Sequence, residues 1–294
     1  MITNLPEWTD ILVHLLALAS RLEGEGQYNL AKLARAAADS LSRQAAYQVA
    51  VPSAAEALAA DIKQTAEALA RLGVDAEVVS AMAQGADVMA GGGVPLFSLT
   101  PHPHVCRTCG HVTLGEPAAH CPTCDAWPDT YQRFMPNYWF DALEPPGILA
   151  TLRQTPVEVA ALLAGLPEEV VNRAPADGGW AMRNVVTHLR DAQRVFAYRV
   201  DLFLTEEHPL LEMKAVWTWA AQEEERPPTT AEIFEVYQTS RAETLARLED
   251  MPLTHWWRSG THQEFGEVTL RQQASYFAAH ERTHLPQMAR LRTP

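Results

Sequence analysis

Apolar residues in the first ninety positions recur at intervals of three and four, the spacing of one face of an α-helix. The clearest run is Ile11, Leu15, Leu18 and Leu22. Further along, Ser53 and Glu56 have the spacing of a capping box, and Gly73 follows the last apolar residue of that segment. The pattern predicts about four helices in this part of the chain.

A glycine triplet at residues 91–93 interrupts the helical pattern. Histidine and proline then alternate through residues 101–104, before the first cysteine. Glycine and proline are the strongest local breakers of regular structure. We therefore place a boundary near residue 98, after an N-terminal helical domain formed by residues 1–98.

Helical periodicity returns after Tyr138. Four helices are predicted, near residues 142–164, 181–204, 230–249 and 269–291. Four amphipathic helices of this length are typical of a four-helix bundle. The predicted fold is thus mainly α, with an N-terminal helical domain (1–98), a small tetracysteine ribbon (99–137) and a C-terminal four-helix bundle (138–294).

Several residue pairs mark where the helices of the C-terminal bundle should begin. Capping-box spacing occurs at Thr155 with Glu158, at Thr229 with Glu232, and at Thr269 with Gln272. At the first of these, Pro156 would occupy the first helical position. Pro286 falls inside the last predicted helix, where proline predicts a kink or an early end.

All four cysteines lie within nineteen residues, as the two Cys-x-x-Cys pairs Cys106 with Cys109 and Cys121 with Cys124. This spacing can direct four sulfur atoms at one tetrahedral ion, and Gly110 permits the positive φ that such a turn often needs. The alternative, four unrelated buried cysteines, does not account for the regular spacing. We predict a structural metal site holding zinc or iron.

The segment VCRTCGHVTLGEPAAHCPTCDAWPDTYQRF resembles the rubredoxin-like ribbon found at the end of rubrerythrins. The resemblance covers residues 104–134 and implies a tetrathiolate iron or zinc. In rubrerythrins a helical diiron bundle with Glu-x-x-His pairs precedes the ribbon. Here His14 is the only histidine before His102, and no glutamate lies three residues ahead of it. We interpret residues 1–98 as a packing or dimerisation domain, which makes a homodimer a candidate assembly.

A second cluster of candidate ligands consists of three histidines in the C-terminal part. His280 and His284 share an apolar face of the last helix with Phe277 and Met288. One histidine on such a face is most often a core residue, but two at i and i+4 can grip one ion. His188 lies beside an apolar stripe of its own helix. Unpaired imidazoles in an apolar core are costly, and a shared divalent ion removes that cost.

The segments DGGWAMRNVVTHLRDAQRVFAYRV and FGEVTLRQQASYFAAHERTHLPQMARL resemble the DinB/YfiT-like family of metal-binding four-helix bundles. The resemblance covers residues 142–294. It implies that His188, His280 and His284 bind one divalent ion, for which zinc, nickel and iron are candidates. The family usually has a serine after the tryptophan and an acidic residue three positions later. Here these are Ala181 and Asn184, a change that weakens a helix cap by about 1 kcal/mol.

Other polar residues near the two sites have less direct predicted roles. Asp191 has two open interpretations, an acceptor for the N–H of a ligand imidazole or a solvent-facing charge. Glu281 lies about 100° from His280 around the helix and is predicted to face solvent. The remaining histidines of these regions are predicted not to be ligands: His102, His104, His111, His120, His255 and His262.

The net charge of −13 disfavours nucleic acid and anionic lipid as partners, because both carry negative charge. No apolar run approaches the roughly 20 residues that span a bilayer, so we expect no membrane association. The first ten residues contain no lysine or arginine and therefore do not resemble a secretory signal. We expect a cytoplasmic protein whose partner is a small-molecule substrate.

Three histidine ligands leave a coordination position open, which is typical of a catalytic metal site. The resemblance implies a thiol-dependent transferase, an isomerase that uses a small thiol, or a metal-dependent hydrolase. Because every cysteine belongs to the ribbon, thiol chemistry would need a low-molecular-weight thiol as cosubstrate. We predict a metal-dependent transferase or hydrolase. The alternative is a non-catalytic metal-binding or redox-responsive protein with an electron-carrying ribbon iron.

Overall fold

The computed structural model describes residues 5–135, 142–175, 178–212 and 228–292. These residues form two compact units. The first contains the chain up to Pro95 together with Pro103–Phe134, and the second contains Leu96–His102 together with the chain from Met135 onward. The predicted boundary at residue 137 lies outside the described residues, and the three-part division stays a prediction.

The first unit begins with two helical hairpins. Helices α1 (Leu5–Gly24) and α2 (Tyr28–Ala46) form one, and α3 (Ala55–Arg71) and α4 (Ala76–Ala90) form the other. Their buried positions are almost all alanine, which lets the helix axes approach closely. The four predicted helices are confirmed.

The ends of α3 only partly match the predicted signals. Gly73 ends this helix with a φ of +81°, as expected for a glycine after the last turn. The capping box at Ser53 is wrong, because the residue before the first helical residue is Ala54, whose methyl group cannot accept a hydrogen bond. The potential capping residue, Ser53, lies one position before the N-cap position of α3.

The cysteine ribbon is a three-stranded antiparallel sheet in the same unit. Strands β1 (Pro103–Cys106), β2 (Val112–Leu114) and β3 (Tyr131–Arg133) are arranged in the order β2-β1-β3. A short 3-10 helix, Pro128–Thr130, precedes β3. Cys106 and Cys121 are buried in the small core beneath this sheet, together with Tyr131.

Within its described residues, the second unit contains five helices: α5 (Pro145–Leu163), α6 (Glu168–Val171), α7 (Met182–Thr205), α8 (Thr230–Asp250) and α9 (Leu270–Arg292). The four long ones are those predicted from the sequence, with bounds that differ by three residues or fewer. In the described part of the chain, no helix is both long and apolar enough to cross a bilayer.

A small sheet covers one end of these helices. Strand β4 (Leu210–Leu211) pairs in parallel with β5 (Ser259–His262), which pairs antiparallel with β6 (Gly266–Thr269). Trp256, in the 3-10 helix Leu253–Trp257, is fully buried below it. The linker residue Phe97 donates its N–H to the Gln263 carbonyl at 2.9 Å, so the start of this unit is tied to the β5–β6 turn.

Side-chain pairs along the four long helices define their directions. Arg153 of α5 bonds to Glu249, near the end of α8. Thr230, at the start of α8, donates its hydroxyl to Glu168, which lies just beyond the end of α5. These two helices are therefore antiparallel. In α7 and α8 the contacts advance together, from Gln193 with Thr244 to Asp201 with Arg247, so that pair is parallel. Parallel neighbours require a long connection between them.

Helix α9 runs parallel to α5 and antiparallel to α7. Its contacts with α5 advance from Glu144 with Arg271 to Ala161 with Arg292. Each long helix therefore packs against two others, in the ring α5-α9-α7-α8. Residues on a broad arc of each helix are enclosed by this ring.

Two of the three capping boxes predicted for this unit are present. The N–H of Thr229 donates to the Glu232 carboxylate at 2.6 Å, and that of Thr269 donates to Gln272 Oε1 at 2.8 Å. The box at Thr155 is wrong, because α5 starts at Pro145 and runs through Pro156 without interruption. Helix α9 likewise continues past Pro286 to Arg292, so the early end considered for it does not occur.

A buried polar network crosses the middle of the bundle. Arg241 of α8 is paired with Glu281 of α9, donates to the Leu152 carbonyl of α5 at 3.1 Å, and donates to Gln193 of α7 at 2.7 Å. The Tyr237 hydroxyl also donates to Glu281, at 3.0 Å. One guanidinium therefore joins all four long helices.

The prediction that Glu281 faces solvent is wrong, since its side chain is 0% exposed. On a helix that packs against a single neighbour, a residue 100° from His280 would lie outside the apolar stripe. Helix α9 packs on both α5 and α7, so its buried arc is wider. Its partner Arg241 lies forty residues away in the sequence, so nothing close to Glu281 indicates that the carboxylate is paired.

This network predicts strong coupling between its two charged members. Arg241→Met alone should destabilise the metal-free protein by about 3–5 kcal/mol, because it leaves a buried carboxylate unpaired. The double variant with Glu281→Leu should recover most of that loss, as both charges are gone. Denaturant unfolding of the two single variants and the double variant measures the coupling.

A control pair lies on the surface of the same helices. Arg153 and Glu249 are paired but 53% and 39% exposed, so their coupling should stay below about 1 kcal/mol. Additive losses at Arg241 and Glu281 would contradict the inferred ion pair.

Candidate metal centres

The structure brings the three predicted histidines together inside the bundle. His188 Nε2 lies 3.1 Å from His280 Nε2, which lies 3.3 Å from His284 Nε2. All three ligand atoms are within 4.8 Å of one another. The described residues contain one other such group of potential metal ligands, formed by the four cysteines.

Two helices supply the three imidazoles. His280 and His284 are one turn apart on α9, so their rings project side by side. His188 lies in the second turn of α7, which packs antiparallel against α9. The start of α7 keeps half of a capping box, because the Asn184 side chain accepts the N–H of Ala181 at 3.0 Å, whereas the alanine offers no acceptor in return.

The surroundings of His188 and His280 favour the neutral form of these two imidazoles. Burial, together with the neighbouring His188 and His284, lowers the pKa of His280 to about 4. Burial also lowers the pKa of His188, as does His284, while the negative charge of Asp191 opposes the shift. Neutral imidazole is the form that binds metal.

Three side chains that the sequence did not single out surround the imidazoles. Gln287 accepts a hydrogen bond from His284 Nδ1 at 3.0 Å, which leaves Nε2 with its lone pair directed at the other two rings. Tyr276 stacks on His280 with centroids 5.9 Å apart. Trp180 lies 5.1 Å from the His188 ring and is 47% exposed, so it forms the solvent edge of the site.

Gln287 and Tyr276 each lie one turn from a ligand on the same helix, at i+3 of His284 and i−4 of His280. That spacing could have identified both residues from the sequence. Trp180 precedes the helix, and only the fold brings it to the site.

The nitrogen separations fit a shared ion. Ligands about 2.0–2.1 Å from a tetrahedral zinc are about 3.3 Å apart, and imidazole also suits iron and nickel. The His188–His280 and His280–His284 separations, 3.1 and 3.3 Å, match that spacing, and all three nitrogens lie within 4.8 Å of one another. His188, His280 and His284 would hold the ion.

Asp191 lies on the side of α7 that carries arginines. Its carboxylate accepts from Arg190 Nε at 2.9 Å and approaches Arg194 Nη1 at 3.5 Å. Among the described residues it makes no hydrogen bond to His188, so it acts on that imidazole through its charge. Neither of the two interpretations drawn from the sequence matches this arrangement fully.

The cysteine site has equally regular dimensions. Cys106 Sγ is 3.7 Å from Cys124 Sγ, and Cys109 Sγ is 3.6 Å from Cys121 Sγ. These distances are too long for disulfides. Sulfur atoms about 2.3 Å from a tetrahedral ion would be about 3.8 Å apart, so the four thiols also fit one ion.

The backbone shapes both cysteine turns. Gly110 has the predicted positive φ, +81°, and Asp125 holds the matching position after the second pair with a φ of +62°. Burial opposes ionisation of Cys121, but hydrogen bonds from the Tyr131 hydroxyl and the N–H groups of Thr123 and Cys124 lower its pKa to about 6. Tyr131 is a contributor that the cysteine spacing does not reveal.

The other histidines lie outside both groups. His120 packs on Trp127 at 4.6 Å, and His102 packs on Phe97 at 4.9 Å. His262 is buried and stacked on Phe265 at 4.3 Å, and burial together with Arg199 lowers its pKa to about 3. His104, in strand β1, is buried as well. His111 and His255 are half-buried.

The four-helix unit with its converging histidines is similar to known proteins. Residues 151–288 match the model of the DinB superfamily. A protein of Geobacillus kaustophilus is 27% identical over 160 residues, which are 54% of this chain and 90% of the relative. One of Oceanobacillus iheyensis is 23% identical over 155 residues, 53% of this chain and 84% of the relative. Both are named as candidate metal-dependent hydrolases.

Among solved structures, YfiT from Bacillus subtilis matches with 21% identity and a TM-score of 0.44, over 50% of this chain and 85% of YfiT. It is described as a candidate metal-dependent hydrolase with an unusual four-helix bundle topology. The family match and the two sequence relatives support a DinB-like assignment for the C-terminal segment. The likeness of residues 104–134 to a rubredoxin-like ribbon stays a prediction.

For the ribbon, the geometry predicts that an ion supplies much of its folding energy, because its buried core is small. Cys121→Ser should make residues 99–137 sensitive to protease, while the second unit still unfolds cooperatively. Thr108→Ser, in the other cysteine turn, changes no sulfur and should keep full resistance. Limited proteolysis with mass spectrometry tests this, and unchanged resistance of the cysteine variant would refute a structural ion.

Proposed function

We propose that the C-terminal unit is a metal-dependent hydrolase whose ion is held by His188, His280 and His284. The observation that carries the proposal is the convergence of three imidazole nitrogens within 4.8 Å of one another, two of their separations being those of a tetrahedral site. The relatives named as candidate metal-dependent hydrolases support the same class of activity. Zinc, nickel and iron all remain candidates for the ion.

Three protein ligands leave a coordination position for water or substrate. When bound, an ion at such a site acts as a Lewis acid and lowers the pKa of a coordinated water to about 7. The chain's own contribution is to orient the imidazoles and to wall the site with aromatic rings. Gln287 fixes the tautomer of His284, and Tyr276 holds the plane of His280.

The solvent edge of the site is the natural entry for a small molecule. Trp180 is about half exposed and contacts both His188 and His284, with ring centroids 5.1 and 6.3 Å away. An indole at this position can pack against an apolar part of a substrate and reduce the access of bulk water.

Glu281 is next to a ligand in sequence but is not available as a general base. Its carboxylate is fully buried and occupied by Arg241 and Tyr237. Any proton taken from the attacking water must therefore pass to solvent, to the substrate or to another group at the mouth. This favours a substrate whose leaving group accepts a proton readily.

A thiol-dependent transferase is the second candidate. All four cysteines lie in the ribbon, so the thiol would come from a small cosubstrate that binds at the histidine site. The non-catalytic alternative assigns the function to a redox-active ribbon iron. A panel of amide and ester substrates, assayed with and without a small thiol, separates these candidates, because only the transferase requires the thiol.

The metal assignment predicts that His188→Ala, His280→Ala and His284→Ala each lose one equivalent of metal per chain and any hydrolysis, while the ribbon ion is retained. Two remaining imidazoles cannot hold the ion tightly. The truncations should cost a few kcal/mol at most, so the helical content should persist. Metal analysis of the purified variants, alongside circular dichroism, measures both effects.

His255→Ala serves as the matched control, because His255 is half-buried in the same unit but outside the triad. It should keep both equivalents of metal. Full metal content in His280→Ala and His284→Ala would reduce the triad to a buried polar cluster and overturn the proposed function.

A further inference from the structure

Arg199 of α7 is a buried cation with few partners. Its side chain is packed in the bundle interior at 6% exposure, and its guanidinium carries five N–H donors. Among the residues that the structure describes, one hydrogen bond is made, from Nη1 to Gln273 Oε1 at 3.0 Å. No described carboxylate lies within ion-pair distance. A buried charge without an anion is costly unless something else occupies the site.

Gln273 of α9 adds a second donor at the same place. It is 1% exposed, and its Nε2 has no hydrogen-bond acceptor among the described residues. The orientation of the amide is set by Arg199, which can only donate and therefore requires the oxygen. The two side chains together present more unused N–H groups than acceptor positions.

Glu264 and Tyr276 act on Arg199 through their charge, but among the described residues no ion pair joins Glu264 to the guanidinium. Glu264, in the β5–β6 turn, is half-buried, and burial raises the pKa of its carboxyl despite the opposing effect of Arg199. Burial likewise raises the pKa of Tyr276. Burial lowers the pKa of Arg199 to about 10, which still leaves it charged at neutral pH. The site therefore has the chemistry of an anion receptor.

Arg199 and Gln273 lie on the same helix faces as the histidine triad, a few turns away along each helix. Arg199 is eleven residues after His188, three turns along α7 on the same face. Gln273 is seven residues before His280, two turns along α9, or about 10 Å at 1.5 Å per residue. Tyr276 lies between, stacked on His280 and close enough to Arg199 to interact with its charge.

We propose that Arg199 and Gln273 bind a carboxylate of the substrate, whose reacting bond lies about 10 Å away at the histidine triad. The substrate class is a small, elongated acid with an amide or ester at the end opposite its carboxylate. This inference rests on the proposed hydrolase function and adds a specificity site to it. Two donors on facing helices can hold the two oxygens of one carboxylate.

The test uses the zinc-loaded full chain and linear hydroxamates of four, six and eight carbons. The hydroxamate end binds a divalent metal, and the other end is either a carboxylate or, in the matched compound, a primary alcohol. At one chain length the acid should bind at least about tenfold more tightly than the alcohol, as expected for a charge-assisted hydrogen bond. Isothermal titration calorimetry measures both affinities.

Three variants assign that preference to the two residues. Arg199→Met should abolish it, and so should Gln273→Glu, which places an internal carboxylate against the guanidinium and keeps the arginine. Arg153→Met, at an exposed arginine of the same unit, should retain it. Equal binding of acid and alcohol by the wild type at all three lengths, or a preference that survives Arg199→Met, would overturn the proposal.

Two simpler ligands separate this proposal from the metal assignment. Acetohydroxamate should bind wild type and Arg199→Met equally, because it reports only on the ion. If no hydroxamate binds, the hydrolase proposal fails. Binding of hexanoate, with hexanol as the uncharged control, then tests the anion site independently of the ion. Binding of hexanoate that depends on Arg199 supports the anion site, and absence of such binding refutes it.

Discussion

The C-terminal unit is governed by the need to satisfy polar groups inside a four-helix core. Three imidazoles, an arginine and a glutamate all lie within the ring of helices α5, α9, α7 and α8. In an interior of low dielectric each of these groups needs a partner. Arg241 and Glu281 supply partners for each other, and the three histidines point their nitrogens at one position. Both arrangements depend on helices held in a fixed register.

The arrangement of the helices explains how that register is maintained. Helices α7 and α8 are parallel, as are α5 and α9, so neither pair is joined by a short turn. Arg241 contacts residues of α5, α7 and α9 from its own position in α8. A slip of one turn in any helix would leave a buried charge or carbonyl unpaired. The network thus holds His188 of α7 opposite His280 of α9.

The sequence predicted those features that repeat along a single element. The four bundle helices, the pair His280 and His284, and the cysteine turns all have a spacing that can be read locally. The resemblance to the DinB/YfiT-like family added His188, which lies on another helix. Contacts between distant elements were not predictable in the same way. The helical pattern places Glu281 in solvent, because its partner Arg241 belongs to another helix. Trp180 reaches the histidines only through the packing of the loop before α7.

Start signals were the least reliable part of the sequence interpretation. Thr155 has the spacing of a capping box, but its hydroxyl donates to the Thr151 carbonyl one turn back inside a continuous helix. Tertiary packing of α5 against α8 and α9 offsets the cost of Pro156. The sequence also gives no indication of the site at Arg199 and Gln273, because a buried arginine can be recognised only once the fold shows its surroundings.

The central claim is that the histidine triad holds one divalent ion, and anomalous diffraction from crystals of the zinc-loaded protein tests it most directly. At the zinc edge, the account predicts one peak about 2.0–2.1 Å from Nε2 of His188, His280 and His284. A second peak should lie among the four cysteine sulfurs. A map with the cysteine peak at full strength and no peak at the histidines would contradict the account.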